Sequence, residues 1–142
     1  MMKKNESAKP NIFQRHQSTL KDTSYNDAGT AHMTDSLLPV IDFDAVKSEY
    51  IRSYHCSPVP KSNDALLHYG DEYFFIEFKD GNMKYEIHNV RGKIFESLLL
   101  FCDLTDTTIS FSRKHVSYVL VYNQEKSKAY IQEKLSANEV QD

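Results

Sequence analysis

Asp64-Ala-Leu-Leu-His-Tyr-Gly-Asp-Glu-Tyr-Phe-Phe-Ile-Glu-Phe-Lys79 is the stretch whose reading decides the fold. Two runs of aliphatic and aromatic residues flank Gly70-Asp71, a dipeptide that reverses the chain, so the stretch predicts a β-hairpin. Side chains alternate across a strand. In the second arm Phe74, Ile76 and Phe78 therefore share one face, and Phe75, Glu77 and Lys79 share the other. In the first arm the same parity groups Asp64 with Leu66 and His68. If the arms pair, Asp64 comes near the Glu77 and Lys79 end, because both ends lie away from the turn. Two carboxylates and an ammonium group then meet at the end of a largely apolar strand.

Outward from the hairpin, apolar spacing predicts the other elements. Val46, Tyr50 and Tyr54 recur every four residues, which predicts a helix over about 44–54 capped by Asp42 or Asp44. Residues 54–63 hold two prolines and read as no central strand. After the turn at Asp80-Gly81-Asn82, the residues Met83, Ile87, Val90, Ile94, Leu98 and Phe101 predict a long helix over 83–102. Phe95, Leu99 and Cys102 widen its apolar face, and Gly92 is its weak point. Lys84, His88, Arg91 and Lys93 decorate the first half. Thr107 to Phe111 reads as a short strand, followed by the basic patch Arg113-Lys114-His115. Val116 to Tyr122 has the composition of a central strand covered on both faces. Residues 126–137 read as a C-terminal helix.

The Asp…Glu-x-Lys arrangement on a hairpin, followed by a helix and an apolar strand, resembles the core of the PD-(D/E)XK nuclease superfamily over about Asp44 to Asn123. That resemblance implies an α/β (α+β) restriction-endonuclease-like fold, a mixed β-sheet flanked by helices. It implies Asp64 and Glu77 as ligands of Mg2+ or Mn2+, and Lys79 as the lysine that assists attack on a phosphodiester. It further implies a helical acid ahead of the motif, for which Glu49 is the candidate, and a helix lysine facing the site, for which Lys93 is. Lys84, Arg91, Arg113 and Lys114 are then the candidates for nucleic-acid contact. Asn63 stands where the name-giving proline would be. From the residues alone, a solvated Glu77–Lys79 pair, a solvated Glu49 and an ordinary basic helix edge remain open readings.

Composition bounds the rest. A chain of 142 residues has room for one ordinary domain, and 40% hydrophobic residues suffice for its core. A net charge of −3 counts against a sequence-independent nucleic-acid binder. No apolar run approaches the ~20 residues of a membrane span, and no secretory signal opens the chain, so a cytoplasmic protein is expected. Cys56 and Cys102 lie in no metal-ligand pattern and read as thiols or as one disulfide. Residues 1–36, polar and without apolar period, read as a flexible arm with solvated His16 and His32, ahead of a domain over 37–142. Two functions follow from these features. One is a metal-dependent nuclease acting on nucleic acid in defence or mobile-element biology. The other is a catalytically silent protein of the same fold that binds another protein, of the toxin-antitoxin or immunity type. A homodimer is compatible with both.

Overall fold

The computed structural model describes residues 11–139 apart from Asp27 and Cys56. Its centre is the anticipated hairpin, β3 (Ala65–Tyr69) and β4 (Glu72–Lys79), paired from Ala65↔Ile76 to Tyr69↔Glu72. The two-residue loop needs a positive φ, and Gly70 supplies it at 59° without the clash a Cβ would bring. Around the hairpin stands a five-stranded mixed sheet in the order β1-β2-β3-β4-β5, with β1 (Gln17–Thr19), β2 (Pro39–Asp42) and β5 (Val116–Tyr122). β1 to β4 are antiparallel neighbours, and β5 lies parallel to β4.

Helices α2 (Phe43–Tyr54) and α3 (Met83–Thr105) bracket the hairpin in sequence. Asp42 caps α2 by accepting from the Ala45 N–H, and Asn82 caps α3 by accepting from the Lys84 N–H, each at 3.0 Å. Phe43 and Val46 of α2 and Leu100 and Phe101 of α3 meet Ile41, Leu66 and Phe75 in the larger core. Rings pack edge to face there, with Phe43 and Phe75 centred 4.8 Å apart. The opposite face of the sheet buries Val40, Ala65, Ile76 and Phe78. The parity read from the hairpin therefore holds, and it directs Glu77 and Lys79 to the same face as Phe75.

Four expectations need correction. Residues 11–36 read in sequence as part of a flexible arm. Instead α1 (Asn11–Arg15) buries Ile12 and Phe13 in the larger core, and β1 pairs with β2. Leu20 and Met33 pack on the second core, while His32 bonds the Lys21 carbonyl at 2.8 Å and lies against Tyr25. So few apolar residues leave no periodic signal, yet each occupies a place that sheet and helices leave open. Residues 1–10 lie outside the described residues. Second, Thr107–Phe111 is no strand: Thr108 accepts from the Phe111 N–H and starts α4 (Ile109–His115). Third, β5 is the sheet's edge, and Tyr118 and Val119 are 37% and 42% exposed. Fourth, Phe95 and Leu99 face away from the core of α3, at 67% and 65% exposure.

Residues 55–63 contain no strand among those described, as the prolines require. The place beside β3 is taken by β2, which precedes α2 in the chain. The C-terminal helix α5 (Gln124–Glu139) is tied to the start of α3 by Ser127, whose buried hydroxyl accepts from the Met83 N–H at 3.1 Å.

Candidate functional site

The site grows from the register of the hairpin. Continuing the β3–β4 pairing one step past Ala65↔Ile76 sets Asp64 opposite Glu77, on the same face. The Phe78 N–H donates to Asp64 Oδ2 at 2.8 Å and holds the carboxylate against the strand. Lys79 follows two residues after Glu77, with its Nζ 3.9 Å from Glu77 Oε1 and 3.4 Å from Glu86 Oε2 of α3. Glu77 and Lys79 are each 3% exposed, so these charges are held inside the protein, not at a wet strand end. The reading of Glu77–Lys79 as a solvated pair does not survive that burial.

Lys93 reaches in from α3, its Nζ 2.6 Å from Glu77 Oε1. Two residues of helix, about half a turn, carry it from the exposed Arg91 to the inner face. Glu49 does not join them. Both its oxygens are taken by Arg15, at 3.0 and 2.7 Å, and His16 lies 3.7 Å away. The Arg15 hydrogen bonds hold its carboxyl below the usual range. The α2 acid that faces the site is Asp44, which accepts from Ser62 Oγ and acts electrostatically on Asp64, Glu77 and Lys93. Five residues of helix separate Asp44 from Glu49, a rotation of about 140°, so only one of them can face inward. The sequence carried a signal for Asp44, its place in the first turn beside the apolar Phe43 and Val46, but that place also suits a cap.

Four carboxylates, those of Asp44, Asp64, Glu77 and Glu86, and two ammonium groups thus gather at one end of β4. Burial, reinforced by the charge of Glu77, lifts Asp64 to about 8 against the pull of the Phe78 N–H. Burial also raises Glu77, although Lys93 and Lys79 oppose it. For Lys93, burial works downward, and the hydrogen bond and charge of Glu77 outweigh it, so the ammonium is held. Glu77 Oε2 is buried with no hydrogen-bond partner among the described residues. Buried oxygens that repel one another, one of them unpartnered, match the hard donors that magnesium takes, and magnesium commonly uses one or two carboxylates plus water and phosphate oxygens. Among the described residues no group of three or more His, Cys, Asp or Glu side chains is arranged to hold a metal ion.

Asn63, which stands where the resemblance would put a proline, uses its backbone N–H. That group donates to Ser97 Oγ of α3 at 2.7 Å, a bond proline cannot make. The remaining basic candidates divide. Lys84 is exposed in the first turn of α3, over the ring of Tyr85, and Arg91 lines a cavity between α3 and β5. Arg113 and Lys114 sit at the far end. They lead into Val116, which pairs with Tyr73, whereas Glu77 pairs with Leu120. Four residues of strand put them roughly 13 Å from the carboxylates along β4. They are not part of this cluster. Cys102 is a free thiol near Ser112, and Cys56 lies outside the described residues.

No helix among the described residues is long and apolar enough to cross a membrane. No protein-family model matches the chain, and neither the curated proteins nor the solved structures compared with it gave a match.

Proposed function

We propose that this chain is a metal-dependent nuclease of restriction-endonuclease-like fold, acting on phosphodiester bonds of nucleic acid in the cytoplasm. One observation carries the reading: Asp64 lies across from Glu77 in the hairpin, with Lys79 and Lys93 both within 4 Å of the same Glu77 oxygen. In this reading Asp64 and Glu77 hold Mg2+ or Mn2+, and the ion, when bound, supplies a water of lowered pKa and polarises the phosphate. The protein's own groups do the rest. Lys79, fixed by Glu86, is preorganised to stabilise charge developing on the phosphate oxygens, and burial makes that charge count for more than it would in water. Lys93 neutralises Glu77 in the free protein and is positioned to turn to the incoming phosphate. Asp44, through its field on Asp64 and Glu77, raises the demand for a cation.

The test is a cleavage assay on mixed DNA and RNA substrates beside calorimetric titration with magnesium and manganese. Lys79→Ala is expected to retain metal binding and lose cleavage by about 10²-fold or more. Glu77→Ala is expected to lose both. Wild-type protein that is folded yet neither binds metal nor cleaves would remove the proposal's support.

A second reading has its own observation. A 250 Å3 cavity lined by Tyr50, Pro58, Pro60, Glu96, Leu99 and Leu100 adjoins the exposed Leu99. That surface favours a silent relative of the same fold that binds another protein. In that case substitution at Leu99, and not at Glu77 or Lys79, changes affinity for the partner.

A further inference from the structure

Between α3 and the edge strand β5 lies a cavity of 320 Å3, a size that suits a small organic ligand. Ile87, Val90 and Ile94 wall it on the helix side, and Phe75, Tyr118 and Leu120 on the sheet side. The Phe75 and Tyr118 rings are parallel to within 14°, at 5.7 Å between centroids, and give the sheet-side wall flat aromatic faces. Beside the charged Glu77 and Arg91, the lining holds one neutral polar residue that is fully buried. Asn63 is 1% exposed, lines the cavity, and has both Nδ2 and Oδ1 buried without a hydrogen-bond partner among the described residues. A buried amide with neither donor nor acceptor used is costly, and native proteins keep such groups where something else satisfies them.

We infer that this cavity is a nucleobase subsite, read by the Asn63 amide and selective for an adenine-type edge. An amide offers one donor beside one acceptor, and the complementary partner presents one acceptor beside one donor on a flat ring. Adenine does so through N7 and the N6 amino group. The apolar and aromatic walls suit the faces of that ring. Arg91, exposed on the cavity lining, is a cation for the attached phosphate. Glu77 borders the same cavity, so a base seated there brings its phosphate toward the carboxylates. The same chemistry is carried by a free adenosine nucleotide and by a base turned out of a strand. The subsite stands independently of the nuclease reading, since it asks for neither metal nor cleavage.

The experiment titrates full-length protein, in chelator and without divalent metal, with adenosine 5′-monophosphate, inosine 5′-monophosphate and ribose 5-phosphate, followed by calorimetry. Inosine keeps the size and, on the N7 edge, replaces the amino donor by a second acceptor, so the amide no longer meets an acceptor beside a donor there. Adenosine monophosphate is expected to bind about tenfold or more tightly than inosine monophosphate, and ribose phosphate weakest. Asn63→Leu is expected to weaken adenosine monophosphate by a similar factor while raising the melting temperature, because an unpaired buried amide is replaced by apolar volume. A merely structural asparagine would give the opposite shift in melting. Ile94→Phe, at a partly exposed position on the helix wall, narrows the cavity and is expected to weaken binding with melting unchanged. A short oligodeoxyadenylate, single-stranded and in duplex, separates the sources: tighter binding of the single strand than of the mononucleotide assigns the site to a strand, and the reverse to a free nucleotide. Equal affinity for the three small probes, no binding of any probe up to millimolar concentration, or an unchanged Asn63→Leu overturns the inference. Cleavage without base binding sinks the subsite alone, and base binding without cleavage sinks the nuclease alone.

Discussion

Replacing Asp64 by asparagine should make the protein more stable as pH rises toward 8, and the burial of Asp64 beside Glu77 sets the sign. In the native protein burial and Glu77 lift Asp64 from 3.8 to about 8. Between those two values the folded chain keeps a proton that the unfolded chain has lost, so stability must fall as pH rises. A full proton of difference gives a slope of about 1.4 kcal/mol per pH unit. Because Asp64 and Glu77 titrate as an interacting pair, half is the working figure, about 2 kcal/mol lost between pH 5 and pH 8. The introduced amide can still accept from the Phe78 N–H through its carbonyl oxygen, so the local bond survives the change. Urea unfolding of both proteins at pH 5, 6, 7 and 8, in chelator, measures the effect. With a slope of about 1.5 kcal/mol per molar urea for a chain of this size, Asp64→Asn should match the wild type at pH 5 and exceed it by roughly 1 M in midpoint at pH 8. Parallel curves across the range would mean that Asp64 is solvated and ionised, and the buried cluster would be misread. Magnesium added at pH 8 should recover the loss in the wild type and much less in the variant, since a ligand stabilises only the state that binds it.

Three further outcomes are expected. Phe13→Ala should cost about 3–4 kcal/mol in chemical denaturation, since this ring is 1% exposed and packs on Phe43 at 6.4 Å; a loss below about 1 kcal/mol would return residues 11–15 to the status of an arm. Gly92→Ala should stabilise α3 by about 0.5–1 kcal/mol, because the nearest atoms to an added Cβ, those of Lys61 and Glu96, lie at 3.8 Å or beyond; a lower melting temperature would show that the helix needs the glycine. Thr108→Ala should cost about 1 kcal/mol by removing the cap of α4, and an unchanged melt would argue against that cap.

The hairpin was legible because period and turn chemistry agree there. Two apolar arms, a glycine at the one position that needs positive φ, and a two-residue loop leave a single register, and that register alone brings Asp64 to Glu77. Lys93 was legible only through the resemblance, since from the residues alone it belonged to an ordinary basic edge of the helix. Glu49 was not, because an acid on a helix is equally a surface acid, and its partner Arg15 lies 34 residues earlier in a segment without periodic signal. The edge position of β5 was hidden for another reason. Val116 to Tyr122 has the composition of a strand covered on both faces, and composition does not report that β4 has its second neighbour there while β5, among the described residues, has none. Asn63, conspicuous in sequence only as a missing proline, gained meaning from burial.

Strands that lie in the sheet in the order the chain lays them down give folding a timetable. The β3–β4 hairpin closes through a two-residue loop, an event of microseconds, whereas β5 must wait for α3 and α4 to span the crossover from Lys79 to Val116. The carboxylates of Asp64 and Glu77 therefore meet early, and the ammonium group of Lys93 arrives only with α3. For that interval Lys79, on the hairpin itself, is the one ammonium group of the cluster set against the repulsion at its open end. Mild acid, or a divalent cation, should then speed folding as well as stabilise its product, and a stopped-flow refolding rate indifferent to both would place the meeting of these groups after the transition state.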